Sequence, residues 1–120
     1  MAEELKEIDS ILNSVKQGIG GIGLTETNHF DPDIIMSINT VFAILNQMGI
    51  GPEEPFSISD SSATWNDFTD SRVELNSIKT YMVMKVRLLF DPPTNATLLN
   101  AMKEHCSEFE WRNYVLEGNY

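Results

Sequence analysis

An all-α fold is predicted for this chain by three observations. Four stretches repeat apolar residues at helical spacing, each meets a capping residue, glycine or proline at one or both ends, and strand-like alternation is confined to one very short stretch. The 120 residues, 42% of them hydrophobic, suffice for one domain with a modest core. The predicted architecture is a single domain over residues 1–120, a small four-helix bundle-like unit with an irregular loop between its second and third helices.

The first helix is predicted from about Glu3 to Lys16, where Leu5, Ile8, Leu12 and Val15 form a narrow stripe at heptad-like spacing. The glycine run Gly18-Ile19-Gly20-Gly21-Ile22-Gly23 follows, and residues 17–29 are read as a flexible linker. Gly18, Gly20 and Gly23 match G-x-G-x-x-G literally. A dinucleotide-binding turn needs a preceding strand, which this run lacks, so a linker or hinge is expected instead.

The second helix, near residues 32–48, has the fullest punctuation. In FDPDIIMSINTVFAILNQMGIGP, Asp31 is suited to accept bonds from the first free N–H groups. Pro32 fits the first helical position, and Asp33 places charge at the positive end of the dipole. Ile34, Ile35, Ile38, Val41, Phe42, Leu45 and Met48 share one broad face, with Ser37, Asn39, Thr40, Asn46 and Gln47 opposite. Gly49 and Gly51 offer left-handed caps, and Pro52 prevents continuation.

After Pro52 the chain reads as irregular, with Phe56 and Ile58 alternating as in a very short strand or extended loop. Thr64 and Asp67 form a variant capping box that opens a single turn presenting Trp65 and Phe68. The third helix is predicted over 71–90. Its apolar line is Val73, Ile78, Tyr81, Met82, Val86 and Leu89, widened by Met84, Leu88 and Phe90, and Asp91-Pro92-Pro93 ends it. The fourth, near 94–115, takes Thr94 as its N-cap and turns Leu98, Leu99, Met102, Cys106 and Phe109 inward. It continues to Trp111, and residues 115–120 are expected to form a mobile tail. Ile38, Phe42 and Leu45 are expected to pack against Tyr81, Met82 and Val86, the widest stripes available.

A net charge of −10 argues against electrostatic binding to nucleic acid or to an anionic membrane. Residues 1–70 hold twelve carboxylates against Lys6 and Lys16, while residues 71–120 hold six of each sign. Solubility accounts for such a surface. It also suits a basic partner, or DNA that must slide past without sticking. The N-terminus MAEELKEIDS lacks a basic segment followed by an apolar run, so no signal peptide is expected, and no apolar stretch approaches the roughly 20 residues of a bilayer span.

Catalytic chemistry finds no foothold. The His29, Asp31 and Asp33 cluster has metal-ligating side chains, but helix capping accounts for both aspartates, so no metal is expected. His105 and Glu108 stand at i, i+3 without a second such pair, and neither histidine belongs to a triad. Cys106, the single cysteine, lies on the apolar side of its helix and is read as a buried thiol. No cofactor is expected. Aromatic and arginine side chains remain as candidates for partner contact: Trp65, Phe68, Arg72, Trp111, Arg112, Tyr114 and Tyr120. Of the aromatics Trp65, Phe68, Trp111 and Tyr114, at least two are expected in the core instead.

The segments Phe30–Pro52, FSISD followed by TWNDF, YMVMKVRLLFDPP and EFEWR together resemble the head-tail connector proteins, also called adaptor or head-completion proteins, of long-tailed bacteriophages. The resemblance spans about residues 28–113, and the Gly18–Gly23 stretch departs from it. It implies a structural virion protein at the phage neck, made in the host cytoplasm. It further implies a ring, commonly of twelve copies, below the portal protein, through which DNA passes without specific binding. A stopper or tail-completion protein would dock beneath, and residues Glu110–Tyr120 would carry the portal contact. Two other readings are a different neck or tail-completion protein, which would be richer in strands, and a small acidic inhibitor mimicking DNA. The second needs phosphate-like spacing of carboxylates, yet Glu3, Glu4, Glu7 and Asp9 are confined to one short helix.

Overall fold

The computed structural model describes residues 10–68 and 74–116, with side chains at 21–23 and 114–116 left aside. The described residues form five helices and no strand: α1 (Ile11–Thr25), α2 (Asp31–Gln47), the single turn α3 (Trp65–Phe68), α4 (Leu75–Phe90) and α5 (Ala96–Leu116). The all-α expectation holds. Helix α4 is the centre of the arrangement, packing against α1, α2 and α5, while α1 also touches α2. It can do so because it is apolar on several sides: Ile78, Tyr81, Met82 and Val86 are buried, and Met84, Leu88 and Phe90 pack around them.

Helix α1 corrects the prediction most. The stretch read as a flexible linker is helical as far as Thr25, and the predicted start at Glu3 lies outside the described residues. Ser10 caps the helix instead: its Oγ accepts from the Asn13 N–H at 3.3 Å and donates to the Ser61 carbonyl at 2.7 Å. Ile11, Leu12 and Val15 are buried. Gly18 is helical because α4 presses against it. A Cβ built there would lie 2.8 and 2.9 Å from the two γ-carbons of Val83. The close approach of the helices therefore demands glycine, and tertiary contact overrides its poor helix propensity.

This contact is testable by a double-mutant cycle. Gly18→Ala alone should lower stability by about 1 kcal/mol, because overpacking against Val83 exceeds the gain in propensity. In a Val83→Ala background the same change should raise stability by ~1 kcal/mol, the propensity difference alone. Urea unfolding of the four chains checks the reversal of sign.

Helix α2 keeps its predicted stripe. Ile34, Ile38, Val41, Phe42 and Leu45 are buried, with Met48 just beyond the helix end. Its start differs. Phe30 occupies the N-cap position, no side chain caps the helix, and Pro32 falls at the second position. Asp31 turns back instead to the Lys16 ammonium at 2.8 Å, and the same Nζ donates to the Thr27 carbonyl at 2.9 Å. One buried cation thereby ties the α1–α2 turn together. At the other end Gly49 and Gly51 adopt φ of 77° and 95°, as the glycine pattern predicts. Gly51 serves a second purpose, because a Cβ there would sit 2.5 Å from the Phe68 ring.

The segment after Pro52 is an extended loop pinned to α2. Asn39 Nδ2 donates to the Ile58 carbonyl at 3.0 Å, and the Ile58 N–H donates to Asn39 Oδ1 at 2.8 Å. The side-chain amide thus imitates a strand partner and holds Ile58 in the core. The capping box before α3 forms as expected: the Thr64 N–H donates to Asp67 Oδ2 at 3.0 Å, and the Asp67 N–H donates to Thr64 Oγ1 at 3.3 Å. Helix α4 begins at Leu75, while Ser71, Arg72 and Val73 lie outside the described residues. Helix α5 is capped by Asn95, not Thr94, with Asn95 Oδ1 accepting from the Leu98 N–H at 2.9 Å. The predicted mobile tail lies mostly outside the described residues, but α5 reaches Leu116.

Candidate assembly surfaces

The α4–α5 hairpin is locked by one polar cluster. Tyr81 stacks on Phe109 with ring centroids 4.4 Å apart and planes 14° from parallel. Its hydroxyl donates to Glu110 Oε2 at 2.6 Å, and Lys85 Nζ approaches the same oxygen at 2.9 Å. Burial, reinforced by the hydrogen bond and charge of Glu110, pushes the Tyr81 phenol well above its ordinary range. The hydroxyl is therefore a permanent donor to the carboxylate. Burial also raises the Cys106 thiol, which agrees with the inert buried cysteine read from the sequence.

The cluster has an open side. A groove of about 630 Å³ runs between the first half of α4 and the second half of α5, lined by Ser77, Thr80, Met84, His105, Glu108 and Arg112, among others. Trp111, the residue before Arg112 on α5, is 67% exposed. Arg112 is exposed and pairs with Glu108 one turn earlier. Such an exposed i,i+4 pair contributes only a few tenths of a kcal/mol, so the guanidinium remains exchangeable.

Trp65 and Phe68 are not surface anchors. Both are buried, Trp65 donating its indole N–H to Ser14 Oγ at 2.8 Å and Phe68 packing with Phe42 and Phe56. Their burial meets the expectation that at least two of Trp65, Phe68, Trp111 and Tyr114 belong to the core, without that expectation having said which. Arg72 and Tyr120, and the side chain of Tyr114, lie outside the described residues. Of the seven candidates, only Trp111 and Arg112, neighbours on α5, are exposed among the described residues.

A second surface escaped sequence reasoning. At the far end of the hairpin a groove of about 530 Å³ is walled by Ile19, Leu24, Phe30 and Phe90, with Asp33 and Asp91 at its edge. Phe30 is 42% exposed and meets Phe90 edge-on at 6.1 Å. The available signal was a phenylalanine at a helix end, before Asp31-Pro32 and again before Asp91-Pro92. Its third wall depends on the glycine-rich run being helical. The His29-Asp31-Asp33 cluster does not converge, since Asp31 is committed to Lys16 and the His29 ring packs on Phe30 at 4.9 Å.

Comparison with known families bears on these surfaces. A family model described as phage connector protein matches residues 11–119, nearly the whole chain. The chain belongs to the phage connector protein family. It is thus a structural component of the phage neck, where head and tail join. No curated protein and no solved structure matches this connector. For a connector, contact surfaces matter more than reactive groups. One end of this connector's hairpin exposes Trp111 and Arg112, and the other opens an apolar groove beside two carboxylates. No helix among the described residues is long and apolar enough to cross a membrane.

Proposed function

We propose that this connector forms a ring, of twelve copies, beneath the portal of a DNA-filled capsid, extending the DNA channel and presenting a docking surface to a stopper or tail-completion protein. The observation that carries this reading is the exposed Trp111 on the longest helix of a chain that belongs to a connector family along nearly its full length. A large exposed aromatic beside a planar cation is the residue combination that most often anchors an interface. The net charge of −10 supports a channel role, because an acidic wall repels phosphate and lets DNA pass without binding. The function is carried by contact, with no catalytic step.

Within this reading the C-terminal region from Glu110 to Tyr120 reaches the portal. Deleting residues 114–120 tests that assignment. The shortened chain should keep its helical circular dichroism, since Tyr81, Phe109 and Glu110 remain, yet lose binding to purified portal and fail to complete DNA-filled heads. Unchanged portal affinity and normal head completion would move the contact elsewhere on the molecule.

A further inference from the structure

The two surfaces at opposite ends of the α4–α5 hairpin are complementary, and we infer that the Trp111–Arg112 edge of one copy docks into the Phe30–Phe90 groove of a second copy. This deepens the ring reading above by naming the subunit contact. The groove supplies apolar walls from Ile19, Leu24, Phe30 and Phe90, beside the carboxylates of Asp33 and Asp91. Neither carboxylate has an ion-pair partner among the described residues. An occupant therefore needs an aromatic or aliphatic anchor with a cation adjacent to it. Trp111 and Arg112 are such a pair, the indole 67% exposed and the guanidinium held only by an exposed contact to Glu108.

The Trp111–Arg112 pair of the same subunit cannot be that occupant. Phe109 and Glu110 stand beside Tyr81, and Arg112 shares a groove with Ser77, whereas Phe90 closes the other end of α4. At 1.5 Å per residue the two sites are roughly 20 Å apart along a rigid helix. An anchor and its receptor on different faces make a head-to-tail contact, which closes into a ring or runs on as a filament. Charge favours this over random association. A chain of net charge −10 repels its copies, so a contact that sets Arg112 against Asp33 and Asp91 is selected over those that oppose carboxylates.

Sedimentation velocity of the purified full-length chain over a rising concentration series tests the contact without portal or heads. The wild type should self-associate. Trp111→Ala and Arg112→Asp should each weaken association by roughly ten-fold or more while leaving helical circular dichroism unchanged. Adding Asp91→Arg to the Arg112→Asp chain should restore most of it, an outcome that general loss of folding cannot produce. A wild type that stays monomeric at every concentration overturns the proposal, as does a Trp111→Ala chain that associates like wild type or a charge swap without rescue. Portal binding is read separately with the chain lacking residues 114–120, so failure of the subunit contact and failure of the neck role are distinguishable.

Discussion

Phe42→Ala is expected to destabilise the protein by about 3–5 kcal/mol, the usual cost of truncating a fully buried aromatic. Phe42 is buried in the middle of α2, where its ring meets Phe68 at 4.7 Å and Phe56 at 5.0 Å, and those two rings meet each other at 5.4 Å. The substitution removes one corner of this triangle. It thereby loosens the attachment of both the loop that carries Phe56 and the turn α3 to α2. Neither neighbour can collapse easily into the gap, because Ile58 is pinned by Asn39 and the Phe68 ring rests against Gly51. Urea denaturation followed by circular dichroism measures the loss. A change below about 1 kcal/mol would mean the site refills, contrary to this packing. Against a total of about 5–15 kcal/mol for a domain of ordinary stability, the expected loss takes a large share of the folded population's margin.

Asp31→Ala comes next, at about 2–3 kcal/mol. The Lys16 side chain is only 7% exposed and the Asp31 side chain 23%, so the pair sits between a solvated surface bridge, worth about 0–1 kcal/mol, and a fully buried one, whose breakage costs about 3–5 kcal/mol. Removing the carboxylate leaves a buried ammonium that still donates to the Thr27 carbonyl but faces no opposite charge there. It also removes a negative charge from the first turn of α2, where the helix dipole favours one. Lys16→Met is the informative contrast. It deletes the buried cation while keeping an unbranched side chain, and leaves a carboxylate that is 23% exposed although its Oδ1 is buried, so a smaller loss of about 1–2 kcal/mol is expected. Equal losses for the two variants in urea unfolding would show that the carboxylate does more than neutralise Lys16.

The amino-acid sequence by itself determined the helical class, the α2 stripe from Ile34 to Met48, the glycine turn at 49–51, the Thr64–Asp67 capping box and the stop at Asp91-Pro92-Pro93. Each depends on a local rule: apolar spacing, a left-handed glycine or a missing proline N–H, all written within a few residues. The quoted segments also carried the resemblance to connectors. Tertiary structure alone decided the rest. Gly18 is helical because Val83 presses on it from a helix 65 residues later, a contact that local propensity does not encode. Asp31 faces Lys16 instead of its own helix because a buried ammonium demands an opposite charge more strongly than free N–H groups demand a cap. Trp65 and Trp111 carry the same side chain, yet packing against α1 buries the first while the rim of α5 exposes the second. The groove between Phe30 and Phe90 exists only where α1, α2 and the end of α4 meet, since an apolar residue at a helix end becomes a wall only once other helices supply the remaining sides.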